Sequence, residues 1–285
     1  MPAHCGHAPT LLARPAVARI AAAPSAPRRT SPDGDVADVI TDPMFYLLAL
    51  PAVTILGLGK GGFAGIGMAA APLLSLYIPP LQAAAILLPI LLCQDVISVW
   101  TYRRDWDAWN VKVMMAGAVF GLGAAWVFAA FVSDVAIRLL VGLIGLSFVL
   151  NAWFGRPRIA ARTVPRGVFW GAVSAFTSTL IQAGAPPFSI FVLPQRLPKM
   201  TLVGTMTVFF AMTNAMKVVP YFALGQFSSA TLATSALLLP LAIATNFLGI
   251  WLVRVTPVEL FYRIAYWLVF VLSIALLWQS SAALF

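Results

Sequence analysis

GLGKGGFAGIGMAAAPLLSLYIPP, residues Gly57–Pro80, decides how the rest of the chain is read. It lies in an apolar run, Met44–Ile78, of 35 residues. As one helix that run would be roughly 52 Å long at about 1.5 Å per residue, too long for one straight crossing of a ~30 Å hydrocarbon core. Glycines at 57, 59, 61, 62, 65 and 67 interrupt it, and Pro79-Pro80 ends it. The segment is therefore either a broken span or a hairpin of two shorter pieces, and its sequence leaves both open.

The composition around it points to the same solvent. The chain has 285 residues, of which 61% are hydrophobic and 9% charged, with a mean hydropathy of +0.93. Soluble domains carry about 25% charge, so this chain lacks the polar surface to cover itself in water. Disorder needs the opposite composition. The expected fold class is all-α, a polytopic helical membrane protein. Cys5 and Cys93 do not make a disulfide scaffold. His4 and His7 are the two histidines, both before the first apolar run, so no metal site is expected and no cofactor.

Further apolar runs follow at short intervals: Leu81–Tyr102, Trp109–Val132 and Val135–Phe154. After a loop carrying Arg156, Arg158, Arg162 and Arg166 the plan recurs. Gly167–Leu193 is again broken, by STLIQAGAPP (Ser178–Pro187), and Met200–Leu224, Ala230–Val253 and Leu260–Trp278 complete the set. At an offset of 125, Trp126 aligns with Trp251, Asp134 with Glu259, Arg138 with Arg263 and Trp153 with Trp278. Pro72 aligns with Pro187 at an offset of 115. We read this as an internal duplication with glycine-broken first helices and about eight spans. The domains are then a first repeat over 44–154, a basic loop over 155–165 and a second repeat over 166–280. Residues 1–43, rich in Ala, Pro and Arg, read as a disordered tail or as an over-extended start, with Met44 a natural initiator.

The charge sets orientation. Residues 1–43 carry four Arg and four Asp, so the whole excess of +9 lies in 44–285. The arginine loop then faces the cytoplasm by the positive-inside rule. Topology and lipid headgroups explain the excess better than nucleic acid does. If both broken segments cross, Arg196 and Lys199 fall outside, which counts against crossing.

Few polar groups lie at membrane depth, where a charge costs about 2.5–3.5 kcal/mol on insertion scales. Lys60 is in the first break, Asp95 follows Gln94 mid-run, and Lys217 follows Asn214. Unwound glycines bring backbone amides to a cavity, and a half-helix beginning there points partial positive charge at it. Broken helices at matching places in two repeats mark a transporter's central site. The candidate substrate-binding residues are therefore Gly59, Lys60, Gly61, Gly62, Gln182, Gly184, Asn214 and Lys217. Thr177, Ser178 and Thr179 add neutral donors. Asp95, with Gln94, is a proton carrier or the partner of a structural ion pair with Lys60. Lys217 could instead snorkel to an interface. Gln182 and Asn246 could be interhelical hydrogen-bond glue, and the glycines close-packing positions.

Other chemistries lack their residues. GKGG is not a GK followed by Ser or Thr after a strand, so it is not a phosphate loop. The body holds no Ser-His-Asp or Cys-His set, so an enzyme is not expected.

The stretch from Gly57 to Trp106, and the second repeat around Ala185-Pro186-Pro187, resemble the TauE/SafE family of sulfite-exporter-like permeases. The resemblance covers about residues 44–280. It implies a duplicated helical membrane unit that carries sulfite, sulfoacetate or a related organosulfur anion. It matches the Gly59–Gly67 break with Pro72, and Ala185–Pro187 with the following span, to the family's paired motifs. Lys60 stands where many members carry a small residue. The expected function is secondary transport, as an exporter, of a small anion, with membrane lipid as the other partner. A homo-oligomer is compatible with the sequence. A non-transporting membrane scaffold or assembly factor is the alternative.

Overall fold

Asp42 sets the start of the first helix. Its carboxylate accepts a hydrogen bond from the Met44 N–H at 2.9 Å, and Pro43 occupies a first-turn position where no donor is needed. The computed structural model describes residues 40, 42–62, 67, 70–74, 77–78, 80–128, 133–154, 162–223 and 225–282. Among these residues every regular element is helical. The order is α1 (Pro43–Lys60), α2 (Ala70–Leu74), α3 (Pro80–Thr101), α4 (Ala108–Phe128), α5 (Asp134–Phe154), α6 (Val164–Ile181), α7 (Ala185–Val192), α8 (Lys199–Ala223), α9 (Ser229–Val255) and α10 (Val258–Ala282). A 3₁₀ turn, Leu193–Gln195, follows α7. Residues 1–39 and most of the arginine loop lie outside the described residues, so the tail is not described.

Both broken segments fold back. In the first, Tyr77 returns to the start of α1, where its hydroxyl donates to Asp42 and its ring lies 6.5 Å from that of Phe45. In the second, the ring of Phe191 at the end of α7 lies beside Gly167 near the start of α6, while Gly184 packs on Ser174 and Ser178 further along α6. Each is a hairpin; Gly61 and Gly62 at the first turn and Ala183 and Gly184 at the second are buried. This decides between the two readings that the sequence left open.

The hairpins enter from opposite ends. The Gly61 carbonyl, at the first tip, accepts from the Tyr102 hydroxyl at 2.7 Å, beyond the end of α3. That end also carries the starts of α4, α6 and α8. Asp107 pairs with Arg162 at 2.7 Å, Asn110 bonds Gln195 at 2.9 Å, and the Asp107 N–H donates to Thr205 at 2.9 Å. The first hairpin therefore starts at the far end and reaches toward this one. The second starts here and reaches away. Arg196 and Lys199 consequently lie on the same side as Arg162, which removes the conflict with the charge rule. Lys199 donates to the Val253 and Thr256 carbonyls at 2.7 and 2.6 Å, capping the C-terminus of α9 with a cation.

The halves interlock rather than stand apart. Residues Val36–Phe285 form one compact unit. Helix α1 packs along α9 and α6 along α4; α9 also meets α3, and α4 meets α8; α3 faces α8, and α5 faces α10. Exchanging the first five helices with the second five reproduces these pairings.

Glycine makes the closest crossings. A Cβ on Gly61 would fall 2.3 Å from the Gly249 carbonyl carbon on α9. One on Gly121 of α4 would fall 2.0 Å from the Ala172 oxygen on α6. Backbones approach this closely only through small residues. The first break is accordingly shorter than the glycine count suggests. The helix runs on to Lys60, so Gly57 and Gly59 are helical, and the chain leaves helix at Gly61 and Gly62. Gly62 has φ +142°, open to glycine and strained for other residues.

Among the described residues, five helical segments are long and apolar enough to cross a membrane: Pro43–Lys60, Gln82–Thr101, Ala108–Val127, Lys199–Ala223 and Ser229–Val255. Exposed Trp100, Phe120, Phe222, Trp251 and Trp278 give the outer surface the apolar character that lipid requires.

Candidate functional site

The two hairpin tips meet at a cavity of about 90 Å³. The first hairpin contributes Gly59, Lys60 and Gly67; the second contributes Ser178, Gln182, Gly184 and Ala185. Helix α8 closes one wall with Thr207, Phe210 and Asn214. Leucines at 56, 87 and 91 supply much of the apolar remainder.

The second tip is shaped by its own side chains. Gln182 ends α6 in left-handed backbone, φ 56°. The hydroxyls of Ser174 and Thr177 donate to the Gly184 and Ala183 carbonyls at 2.8 and 3.0 Å. These bonds satisfy groups that the break frees from helix, as a non-aqueous interior demands. Helix α7 then starts at the cavity, with Gly184 as N-cap and no side-chain cap. Pro186 and Pro187 fill its first turn, so two of its leading positions carry no N–H. The partial positive charge of the helix end remains, but the donors at hand reduce to few amides.

A chain of side-chain contacts links one tip to the other. Lys60 Nζ is paired with Asp95 Oδ1. Asn214 Nδ2 donates to Asp95 Oδ2 at 2.8 Å. Lys217 Nζ donates to Asn214 Oδ1 at 3.2 Å, to Gln182 Oε1 at 3.2 Å, and to the Ser178 carbonyl and Oγ at 2.9 and 2.8 Å. Asp95, Asn214 and Lys217 are buried, and Lys60 is nearly so. Of the members, Lys60, Asn214, Ser178 and Gln182 also line the cavity. Asp95 and Lys217 stand behind that lining. Lys217 meets neutral oxygens only among the described residues, whereas Lys60 meets a carboxylate.

Other residues singled out by sequence go elsewhere. Gly61 packs on Gly249, and Gly62 on Val253 and Val203, so neither lines the cavity. Gln94 is buried but turned toward α9, donating to the Ala242 carbonyl at 2.8 Å. Asn246 joins it there: its amide donates to the Gln94 carbonyl at 3.3 Å, and its oxygen accepts from Ser98 at 3.1 Å. These two residues tie α3 to α9. Thr207 and Phe210 were not anticipated. Both share a face with Asn214 at helical spacing, the signal that could have found them. Among the described residues no group of His, Cys, Asp and Glu could hold a metal ion.

The geometry gives a largely apolar chamber, open at a mouth, with Lys60 on one wall and the Gln182 and Asn214 amides on others. In comparison with known proteins, the sequence model described as sulfite exporter TauE/SafE matches residues 49–276. No curated protein matches, and no solved structure matches.

Proposed function

The chain belongs to the sulfite exporter TauE/SafE family, a family of membrane transporters, and from that premise we propose that it is a secondary transporter exporting sulfite or an organosulfur acid across the bacterial inner membrane. The observation that carries the reading is the cavity held between two hairpin tips, with Lys60 on one side and Gln182 on the other. Hairpins entering from opposite ends, and helix pairings that survive exchange of the halves, support reading the two halves as inverted repeats around a central site. The basic end faces the cytoplasm in this reading.

Asp95 is the internal anion. With no substrate present it neutralises Lys60, and Asn214 holds its second oxygen. An incoming anion takes the place of the Asp95 carboxylate on Lys60. A proton taken up by Asp95 would free Lys60 for that exchange. Outward movement of an anion is favoured by the inside-negative potential, worth about 2.3 kcal/mol per charge per 100 mV.

The test is a panel of radiolabelled sulfite, sulfonate and sulfate fluxes in proteoliposomes, with and without a pH gradient. Saturable flux that disappears in Lys60→Ala is the expected result. No flux of any anion, with saturable binding of a protein partner instead, would establish the scaffold reading. Full flux in Lys60→Ala would remove Lys60 from the site.

A further inference from the structure

Gln182 presents one end of its amide to Lys217 and leaves the other unused. Its Oε1 accepts from Lys217 Nζ at 3.2 Å, and its buried Nε2 has no hydrogen-bond partner. Lys217 is fully buried, and its ammonium lies within reach of four acceptor oxygens. An ammonium donates and cannot accept. An amide beside it has one favourable orientation, oxygen toward Lys217 and N–H away. The amide is therefore locked as a donor at the tip of the second hairpin.

The other polar side chains of the cavity lean the same way. Lys60 only donates. Asn214 has turned its oxygen to Lys217 and its amide to Asp95. Ser178 accepts from Lys217, which leaves its own proton to give. Thr207 adds a hydroxyl that rotates to either role. At the second tip a ligand oxygen that carries its own proton would meet N–H and O–H groups; the Asp95 carboxylate belongs to the other tip and stands behind the lining.

We propose that Lys217 is a positioning residue that fixes the Gln182 amide as a donor, and that this makes the site select anions whose oxygens all accept over anions of equal charge bearing an O–H. This rests on the anion-transport reading above. It places Lys217 behind the site as a determinant of selectivity rather than as a substrate contact.

Methanesulfonate and the methylphosphonate monoanion test it. They share shape and charge and differ by one P–OH. Binding of each is measured by calorimetry on the purified full chain in detergent, at a pH that keeps the phosphonate singly charged. The wild type should favour methanesulfonate by about tenfold, the worth of one hydrogen bond to a charged group. Lys217→Met frees the amide to turn, and Gln182→Asn tolerates the left-handed backbone but shortens the reach. Each should bring the ratio to within about threefold of unity. Lys60→Ala should weaken both ligands and leave the ratio in place. A purely structural role for Lys217 would lower both affinities together at constant ratio and overturn the proposal. A wild-type ratio near one overturns it as well, while leaving the anion site intact. Binding of neither ligand to the wild type removes the anion site and this inference together.

Discussion

Asn214 on α8 donates its amide to Asp95 on α3 at 2.8 Å, joining the two halves of the chain through one buried hydrogen bond. The same side chain accepts from Lys217 through its oxygen. Asn214→Leu strips a partner from both charged residues at once. Each buried group left unsatisfied costs about 1–3 kcal/mol, more where it is charged. The variant should melt well below the wild type in detergent. Asn214→Asp should also be destabilised, because it sets a second carboxylate against Asp95. Melting curves equal to the wild type in both variants would show that the link carries no stability.

Lys60 and Asp95 separate stability from transport. Removing one partner of a buried pair costs about 3–5 kcal/mol, whereas replacing both by apolar residues of similar size is often neutral or stabilising. Lys60→Ala and Asp95→Ala should each lower the melting temperature. The double variant Lys60→Met/Asp95→Leu should recover it and still carry no anion. Recovered melting together with recovered sulfite flux would contradict the role given to Lys60.

Gly61 should tolerate no side chain, because the atoms it faces are backbone. Overpacking costs about 1–3 kcal/mol even where side chains can shift. Gly61→Val is expected to lose the monodisperse peak in fluorescence-detected size exclusion. Gly123→Ala is the control, since a Cβ there meets nothing within 4 Å. Equal behaviour of the two variants would mean that α1 and α9 do not cross as closely as described.

The positions that sequence could find are those where chemistry conflicts with solvent. Lys60, Asp95, Gln182, Asn214 and Lys217 stand out because charge and amide are costly in an apolar run, and one hydrogen-bonded chain accounts for all five. Thr207 and Phe210 carry no such cost and pass as ordinary lining of a helix. Glycine is ambiguous for a physical reason: an unwound tip and a close crossing both need a missing Cβ. Gly59 borders the cavity while Gly61, two residues on, serves α9. Gln94 and Asp95 are neighbours in sequence but diverge, since successive residues of a helix point about 100° apart and so face α9 and α8 respectively. Hydropathy also has no direction. It marks Gly167–Leu193 as apolar whether the chain crosses or returns, and the contact of Phe191 with Gly167 is long-range information that no local window holds.

The return of the second hairpin gives the last expectation. Arg166 and Arg196 flank it and are both exposed. If the segment folds back, they lie on one side of the membrane; if it crossed, they would lie on opposite sides. In a background with Cys5 and Cys93 replaced by serine, Arg166→Cys and Arg196→Cys should react with a membrane-impermeant maleimide only in inside-out vesicles. Asp42→Cys, at the start of the first hairpin, should react only in right-side-out cells. Removing a single arginine leaves the remaining basic groups to hold the orientation, because Lys199 and Arg254 share the same end. Labelling of positions 166 and 196 from opposite sides would overturn the hairpin, and with it the cavity built from its tip.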